Sequence, residues 1–373
     1  MKFSIKKEIL LHSLNSVSKA LSSKNLIPVL SGIKFNLTTN GLFLSASDND
    51  ISIETFIKED MLEEIKEIGS TVIQGKYILE IIRKLEGKIV NIELLDNIKI
   101  LISCGKSEFN LNCMDSSEFP TLNIEEKKEP IVIKKSEFKN LINKTSFAIS
   151  AQETRPILTG IKFNIKDNKL ECIATDSYRL AKKHVMLNNM LSEDINVVIP
   201  GKNLIELTKI IEENDKEIEM HIFNNKVLFK FDDTLFQTRV LSGTFPDVDR
   251  LIPNTFELEI KANAGEIFNV IDRAALLTSE KDKNIVKFEC LGDEVTVSSN
   301  SPEIGRVEER MNIEKNNNND IKIAFSSRFM MDALKTIETK NVVLCFNNDV
   351  QPIIIKDEKD DTLLQLILPI KTY

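Results

Sequence analysis

Two acidic segments of this 373-residue chain carry residue types that metal or acid–base chemistry uses. Asp48-Asn49-Asp50 offers oxygen ligands for a divalent cation. Asp176, Tyr178, Arg179 and His184 together provide an acid, a base and a cation for an acid–base site. The alternative for the first segment is a turn whose side chains bind the local backbone, and this interpretation is favoured. A hydrolase that uses Asp48 or Asp176 remains one hypothesis.

The motifs of the common enzyme classes do not occur in the sequence. Gly105-Lys106-Ser107 looks like the end of a phosphate-binding loop, but the first glycine of that loop would fall at Ile100. There is no G-x-S-x-G, H-E-x-x-H or G-x-G-x-x-G motif. The three histidines and five cysteines are scattered, so neither a metal site nor a disulfide is expected. We therefore expect a protein that is not an enzyme and has no cofactor.

The acidic segments belong to a repeat that runs along the chain. Residues 28–35 read PVLSGIKF and residues 156–163 read PILTGIKF, at a spacing of 128. At the same spacing Ala46-Ser47-Asp48 matches Ala174-Thr175-Asp176, and a weaker third copy begins near Lys261. Such self-similarity indicates repeated structural units.

The repeat divides the chain into three predicted domains. Polar, proline-containing stretches at residues 123–130 and 247–254 are typical of linkers. The predicted domains are an N-terminal domain of residues 1–125, a central domain of residues 129–250 and a C-terminal domain of residues 253–373. Apolar residues at helical spacing predict helices over residues 6–24, 76–88, 134–147, 202–213, 261–283 and 328–340. Short runs rich in β-forming residues, such as 226–231, predict strands. The predicted fold class is α+β, with antiparallel sheets that carry two helices per domain on one face.

The formal net charge of −8 hides an uneven distribution of basic residues. The predicted helices hold 21 Lys and Arg against 13 Asp and Glu, so the acidic excess lies elsewhere. Because DNA responds to the field within a Debye length of about 8 Å, the net charge does not exclude DNA binding. The alternative is that these lysines only solvate helix faces. No apolar stretch reaches the roughly 18–20 residues of a membrane helix, and residues 1–21 are unlike a signal peptide, which predicts a cytoplasmic protein.

One segment, residues 174–181 with the sequence ATDSYRLA, is specific. Together with Phe245-Pro246-Asp247, the segment RLIP at 250–253 and the terminal Leu368-Pro369-Ile370-Lys371, it resembles the bacterial DNA sliding clamp, the β subunit of DNA polymerase III holoenzyme. The resemblance extends over the whole chain from Met1. It implies a head-to-tail homodimer that forms a ring, with sheets outside and helices around the hole. The implied function is that of a processivity factor that encircles double-stranded DNA without reading its sequence. The implied partners are a second copy of the chain, a clamp loader, the replicative polymerase and other proteins that carry clamp-binding peptides.

The resemblance also implies three sets of site residues. The DNA-facing positions are Lys24, Lys76, Arg83, Lys84, Gln152, Lys202 and Lys209. The peptide-binding groove has Arg155, Ile157, Leu158, Thr175, Tyr178, Arg179, Leu180, Pro246, Arg250, Leu251, Leu368, Pro369, Ile370 and Lys371. The dimer contacts are Phe109 and Leu111 of one protomer with Leu276 and Leu277 of the other.

Alternatives remain for each set. The basic residues are equally typical of a solvated surface. Residues 366–370 are also typical of a last strand that fills the core, and Leu276 and Leu277 are typical of ordinary core packing. The family's common Met-Pro-Met-Arg ending is replaced here by Leu368-Pro369-Ile370-Lys371, which leaves the preferred peptide sequence open. For the whole molecule, the alternative is a monomeric three-domain scaffold that binds only proteins.

Overall fold

The structure is a computed structural model of the chain, and its fold consists of antiparallel strands and short helices. The structure describes residues 1–21, 27–96, 98–121, 126, 129–188, 193–279 and 284–371. These residues form two compact units. The first contains Met1–Phe138 and Asn203–Val240, and the second contains Lys139–Lys202 and Leu241–Tyr373.

The elements recur in a similar order along the chain. The first group is β1 (Lys2–Lys6), α1 (Lys7–Val17), β2 (Gly32–Thr38), β3 (Gly41–Ser47), β4 (Ile51–Lys58), β5 (Leu62–Glu67), β6 (Gly69–Gln74), α2 (Gly75–Lys84), β7 (Ile89–Asp96), β8 (Lys99–Cys104) and β9 (Ser107–Met114). The second is β10 (Ile131–Lys134), α3 (Lys135–Thr145), β11 (Gly160–Lys166), β12 (Lys169–Thr175), β13 (Arg179–Met186), β14 (Ile195–Pro200), α4 (Gly201–Ile210), β15 (Glu217–Ile222), β16 (Lys226–Phe231) and β17 (Thr234–Arg239). The third is β18 (Leu258–Asn263), α5 (Ala264–Ala275), β19 (Ile285–Leu291), β20 (Glu294–Ser301), β21 (Gly305–Asn312), β22 (Glu314–Lys315), β23 (Ile321–Ser326), α6 (Ser327–Leu334), β24 (Asn341–Phe346), β25 (Ile353–Asp357) and β26 (Leu363–Ile367).

The strands pair into antiparallel sheets that join one repeat to the next. In the first unit the sheet order is β10-β15-β16-β17-β4-β3-β2-β6-β9-β8-β7-β1-β5. In the second unit a nine-stranded sheet runs β14-β11-β12-β13-β26-β25-β24-β18-β22, and a four-stranded sheet runs β21-β20-β19-β23. We call the pairing of β4 with β17 the first seam and the pairing of β13 with β26 the second seam. The strands of the central repeat are therefore shared between the two units.

The local sequence explains which face of each element is buried. In β4, Ile51, Ile53, Thr55 and Ile57 are buried and alternate with more exposed residues, as the two-residue period of a strand requires. In helix α2, Ile78 and Ile82 are one turn apart and buried, so the opposite face carries the charged residues. Helix α5 begins where the Asn263 side chain accepts a hydrogen bond from the Glu266 amide at 3.0 Å.

The internal repeat predicted from the sequence is present in the structure. Residues Pro28–Ser31 and Pro156–Thr159 each form a short 3-10 helix, and a strand begins at the glycine that follows. A Cβ atom at Gly32 would lie 2.4 Å from Val72 Cγ1, and one at Gly160 would lie 2.6 Å from Val198 Cγ1. Both glycines are therefore required by close packing at the same point of the repeat.

All six predicted helices exist but are shorter than the sequence indicated. Helix α5 ends at Ala275 instead of continuing to residue 283. The observed helices hold 11 Lys and Arg against 7 Asp and Glu, so the basic excess is smaller than predicted. Two of those lysines, Lys135 and Lys144, are buried in ion pairs. Among the described helices none has the length and apolar character needed to cross a membrane.

Candidate functional site

The predicted groove residues all lie in the second unit, around two small apolar clusters. Leu180 belongs to one cluster, against which Leu368 packs, and Ile157 and Leu158 belong to the other. Phe245 packs against both clusters. The structure thus brings a 3-10 helix, β13 and the C-terminal segment to one apolar surface.

Sequence reasoning missed several residues of this surface. Val248 is buried in the same cluster as Leu180, and Leu241 and Phe245 pack on the cluster of Ile157. The repeat held a signal for Phe245, because Phe119 in the matching Glu-Phe-Pro segment of the first repeat is also part of a small apolar cluster. No short motif marked Leu241 or Val248.

Tyr178 stands at a tight turn on the edge of the apolar surface. The Asp176 carboxylate accepts hydrogen bonds from the amides of Tyr178 at 2.9 Å and Arg179 at 3.0 Å. Ser177, which lies between Asp176 and Tyr178 in the sequence, has a φ of 79°, in the left-handed region. The Leu368 amide donates to the Tyr178 carbonyl at 2.9 Å, which ties the C-terminal segment to the turn. The tyrosine side chain remains 63% exposed.

Arg179, the next residue, is buried and fully engaged inside the second unit. Its Nε donates to Asp176 at 3.0 Å and its Nη1 donates to Asp332 at 2.7 Å. Its guanidinium carbon lies 4.5 Å from the ring centre of Phe329 and 5.5 Å from that of Phe147. These contacts make Arg179 a support of the turn rather than a free handle on the groove surface.

The other arginines of the predicted groove are exposed. Arg155 Nη1 donates to Ser177 Oγ at 3.3 Å, and Arg250 Nε pairs with Asp247 at 3.0 Å. Leu251, beside Arg250, is 48% exposed. This side of the surface therefore presents two guanidinium groups next to an exposed leucine.

The C-terminal segment also contributes to the apolar surface, through Leu368. Pro246, Leu368, Pro369 and Ile370 are half-buried, and Lys371 is exposed. The Ile370 amide donates to the carbonyl of Ala324 at 2.7 Å, which fixes the segment against the third repeat. Leu158 and Thr175 are buried, so they support the apolar surface without being exposed on it.

The predicted DNA-facing residues lie on helices and one loop. Those that the structure describes are exposed, namely Lys76, Arg83, Lys84, Gln152, Lys202 and Lys209, while Lys24 lies outside the described residues. Glu80 pairs with Arg83 and lies 3.9 Å from Lys84, and Glu206 pairs with Lys209 at 2.6 Å. Lys202 and Lys209 are seven residues apart on α4, which places them on one face of that helix.

Two strand edges carry the predicted dimer residues or lie next to them. In the described part of the chain β9 pairs with β6 only through Cys113 and Met114, which leaves the outer edge of residues 107–112 without a second neighbour. Phe109 on this strand is 37% exposed. In the second unit β21 is an edge strand, and Leu276, directly after α5, is 76% exposed. Core packing, the alternative for Leu276, does not apply.

Comparison with known proteins identifies the family. Family models of the DNA polymerase III beta subunit match the chain in three parts, the N-terminal domain at residues 1–123, the central domain at 132–247 and the C-terminal domain at 249–371. The chain belongs to the bacterial DNA sliding-clamp family. The Beta sliding clamps of Staphylococcus epidermidis and Staphylococcus aureus are 41% and 40% identical to it, with 100% of both chains covered.

Solved clamps have the same fold. The DNA polymerase sliding clamp from Bacillus subtilis matches with a TM-score of 0.94 and 41% identity, and the beta subunit from Streptococcus pyogenes with 0.95 and 31%. Both comparisons cover 100% of each chain. The predicted α+β fold of three clamp domains is therefore confirmed, and this clamp is a processivity factor of DNA replication.

In this clamp the candidate catalytic aspartates occupy turns. The Asp48 carboxylate accepts from the amides of Asp50 at 3.0 Å and Ile51 at 2.8 Å, with Asn49 at φ 76°. Asp176 makes the same contacts one repeat later, so both carboxylates are used as backbone acceptors. Burial and the nearby Lys169 lower the pKa of His184.

One group of possible metal ligands occurs among the described residues. Glu126, Glu219 and His221 have ligand atoms within 4.8 Å of one another. Lys230 binds the Glu126 carboxylate at 2.7 Å, and Glu219 lies 3.3 Å from the His221 ring. Each of the three side chains therefore already has a hydrogen-bond partner, Lys230 for Glu126 and each other for Glu219 and His221.

Proposed function

We propose that this clamp forms a head-to-tail homodimeric ring that encircles double-stranded DNA and tethers the replicative polymerase and other proteins through the groove described above. It catalyses no reaction, needs no cofactor and works in the cytoplasm, where a clamp loader opens it. Its three domains comprise residues 1–125, 129–250 and 253–373. The single observation that carries the proposal is the full-length match to sliding clamps, to which the site geometry adds three supports.

The first support is the position of the exposed basic residues. Lys76, Arg83, Lys202 and Lys209 extend from helices α2 and α4. Long flexible cations of this kind attract phosphates without reading bases, which permits sliding. In a closed ring the topological link holds the DNA, so each contact can be weak even in a chain of net charge −8.

The second support is the groove surface. Its floor contains Leu180, Phe245 and the residues of the Ile157 cluster, and its rim contains exposed Tyr178 and Leu251. Burial of apolar peptide side chains contributes about 25 cal/mol per Å². Tyr and Arg at the rim are residue types that anchor reversible protein contacts.

The third support is the pair of strand edges. An unpaired edge is a template for another strand, and β9 of one protomer can pair with β21 of its partner to continue the sheet. Phe109 and Leu111 then meet Leu276 and Leu277 of the partner subunit. Leu276 is 76% exposed in the single chain, so its side chain is available for this contact.

Retention on circular and linearised plasmid DNA tests the whole proposal. The clamp is loaded by its loader onto nicked circles, the salt is raised to about 0.5 M, and half of the sample is cut once. High salt removes electrostatic contacts, since log K falls by about 0.9 per phosphate contact for each tenfold rise in salt. We expect the clamp to stay on circles and to leave cut DNA.

Equal loss from both DNA forms, with loading verified at low salt, would refute the ring. In that case the monomeric scaffold would be the better account. A Leu276→Asp clamp serves as the control, since a chain that cannot close should be lost from circles as well.

A further inference from the structure

A cavity of about 380 Å³ lies at the first seam, inside the first unit, and none of the predicted groove residues lines it. It is lined by one face of α1, by β4, by the end of α4 and by the turn between β16 and β17. Its volume is within the range of small-molecule sites. Ile57 and Ile210 contribute apolar lining, and Ser16 and Thr55 contribute hydroxyl groups.

The polar lining of this seam cavity is acidic. Glu8, Glu212, Asp232 and Asp233 line it, and no lysine or arginine is among its lining residues. Asp232 is bound by Lys135 and Lys216, and Asp233 lies 3.5 Å from Lys58. Within the described residues no ion pair occurs for Glu8 or Glu212. Because Lys135, Lys216 and Lys58 offset the two aspartates, the negative charge left at the seam cavity is that of Glu8 and Glu212, beside His12. This charge favours a positively charged ligand.

Thr55 provides an independent sign of a ligand. The residue is 4% exposed, and its Oγ1 has no hydrogen-bond partner among the described residues. An unsatisfied buried hydroxyl costs free energy, so native proteins rarely retain one without a partner. Here the hydroxyl belongs to a side chain that lines the seam cavity.

The second seam shows what fills the corresponding place one repeat later. Thr55 pairs with Thr234, the first residue of β17, and Lys183 pairs with Leu363, the first residue of β26. The Phe56 amide donates to the Asp233 carbonyl at 2.9 Å, and the His184 amide donates to the Thr362 carbonyl at 3.1 Å. Lys183 is thus the equivalent of Thr55.

At the second seam this lysine is buried and satisfied. Lys183 Nζ donates to Asp360 at 2.5 Å and to Thr362 Oγ1 at 2.6 Å, both in the turn before β26. The same register makes Asp232 and Asp233 the counterparts of Asp361 and Thr362, while Phe231 takes the place of Asp360.

A second lysine is replaced in the same way. Helices α1 and α3 have the repeat spacing of 128, which makes Lys144 the equivalent of Ser16. Lys144 is buried, donates to the Thr336 carbonyl and pairs with Glu338 at 2.8 Å. Helix α4 begins at Gly201 and helix α6 begins at Ser327. Glu212 and Glu338 each lie eleven residues after the first residue of their helix. Glu212 is therefore the counterpart of the acid that Lys144 binds.

We propose that the seam cavity binds a small aliphatic diamine or polyamine. One ammonium group lies at Glu212, as the Lys144 ammonium lies at Glu338. The other lies at the Asp232–Asp233 turn beside Thr55, which is the strand position that Lys183 occupies at the second seam. The alkyl chain between them contacts Ile57 and Ile210. Aliphatic amines are protonated at neutral pH, since their pKa is near that of lysine at about 10.4.

The test is calorimetric titration of the full chain, without DNA, with 1,3-diaminopropane, 1,4-diaminobutane, 1,5-diaminopentane and spermidine. We expect saturable binding of one equivalent for at least one of these amines. The uncharged 1,5-pentanediol should show at least tenfold weaker binding. Absence of saturation with all four amines would overturn the proposal.

Two pairs of variants locate the site. Thr55→Lys places the missing ammonium in the cavity, so it should weaken amine binding at least tenfold and raise the melting temperature, whereas Thr39→Lys on an exposed turn should change neither. Glu212→Gln should weaken binding at least fivefold, whereas Glu213→Gln, an exposed neighbour outside the cavity lining, should not. Equal affinities of Glu212→Gln and Glu213→Gln would mean diffuse surface attraction and would refute the site, even if Thr55→Lys failed to fold.

Discussion

At the scale of single residues, Tyr178 and Arg179 are neighbours in sequence with opposite surroundings. The Tyr178 side chain is 63% exposed, while the Arg179 side chain is 9% exposed and ion-paired on two sides. In the sequence both belong to one motif and look equally suited to hold a peptide. The structure separates them into an exposed residue and a buried supporting residue.

Arg179→Ala should lower the free energy of unfolding of the second unit by about 3 kcal/mol, because it leaves Asp176 and Asp332 without their partner. Urea unfolding followed by circular dichroism measures the change. The matched control is Arg155→Ala, whose exposed guanidinium makes one contact at 3.3 Å and should cost less than about 0.5 kcal/mol. Equal stability of the two variants would contradict the supporting role.

Tyr178→Ala should leave stability nearly unchanged but weaken a clamp-binding peptide about tenfold, because an exposed aromatic at a groove rim acts as an anchor. Fluorescence anisotropy with a labelled polymerase peptide measures the affinity. Tyr77→Ala on α2, where the tyrosine is 53% exposed, controls for the loss of any surface tyrosine. If both variants bound the peptide as the wild type does, the groove would lie elsewhere.

At the scale of elements, the proposed dimer joins the free edges of β9 and β21 and the end of α5. Phe109→Asp or Leu276→Asp should weaken the dimer at least a hundredfold, since each places a charge in an apolar contact. Sedimentation velocity over a dilution series measures this. Leu291→Asp, at an exposed position that is 51% accessible at the end of β19, should remain dimeric. A dimer that survives both interface variants would exclude this pairing of edges.

The second seam predicts how stability depends on pH. Burial opposes ionisation of Asp360, but hydrogen bonds from Lys183 and Thr362 hold the pKa of its carboxyl below the ordinary value. The stabilisation is complete above the unfolded-state pKa of about 3.9 and is lost as the pH falls through the lower folded value. Urea unfolding between pH 7 and pH 3 should show Asp360→Asn to be less stable at pH 7 and flatter with pH, whereas exposed Asp361→Asn should follow the wild type. Parallel curves for the two variants would count against this linkage.

At the scale of the whole molecule, the proposed ring predicts that the helices supply the contacts to DNA and that the sheets do not. Replacing both Lys202 and Lys209 with alanine should reduce the slope of log K against log salt by about 2 for binding to a short duplex, since each lost phosphate contact removes about 0.9. Replacing Lys287 and Lys322, which are exposed on β19 and β23, should leave the slope unchanged. The same slope in both double variants would argue against a helical DNA surface.

Much of the fold was accessible from the sequence because its signals are local. The period of apolar residues predicted all six helices, and β16 has the predicted bounds, Lys226–Phe231. The repeat between residues 28–35 and 156–163 identified equivalent turns, and the motif at 174–181 identified the family. Helix ends were less accessible, because the apolar period does not mark them: α5 ends at Ala275 although Leu276 and Leu277 follow.

What only the tertiary structure decided depends on residues far apart in the chain. Arg179 is buried because Asp332, 153 residues later, and Phe329 surround its guanidinium. Leu276 is exposed because α5 ends one residue before it. Ser16 and Thr55 line the seam cavity together with the ends of α4 and β16. In the next repeat, lysines occupy the positions of Ser16 and Thr55. A sequence motif specifies residue types, whereas burial and charge pairing are set by which distant side chains the fold brings together.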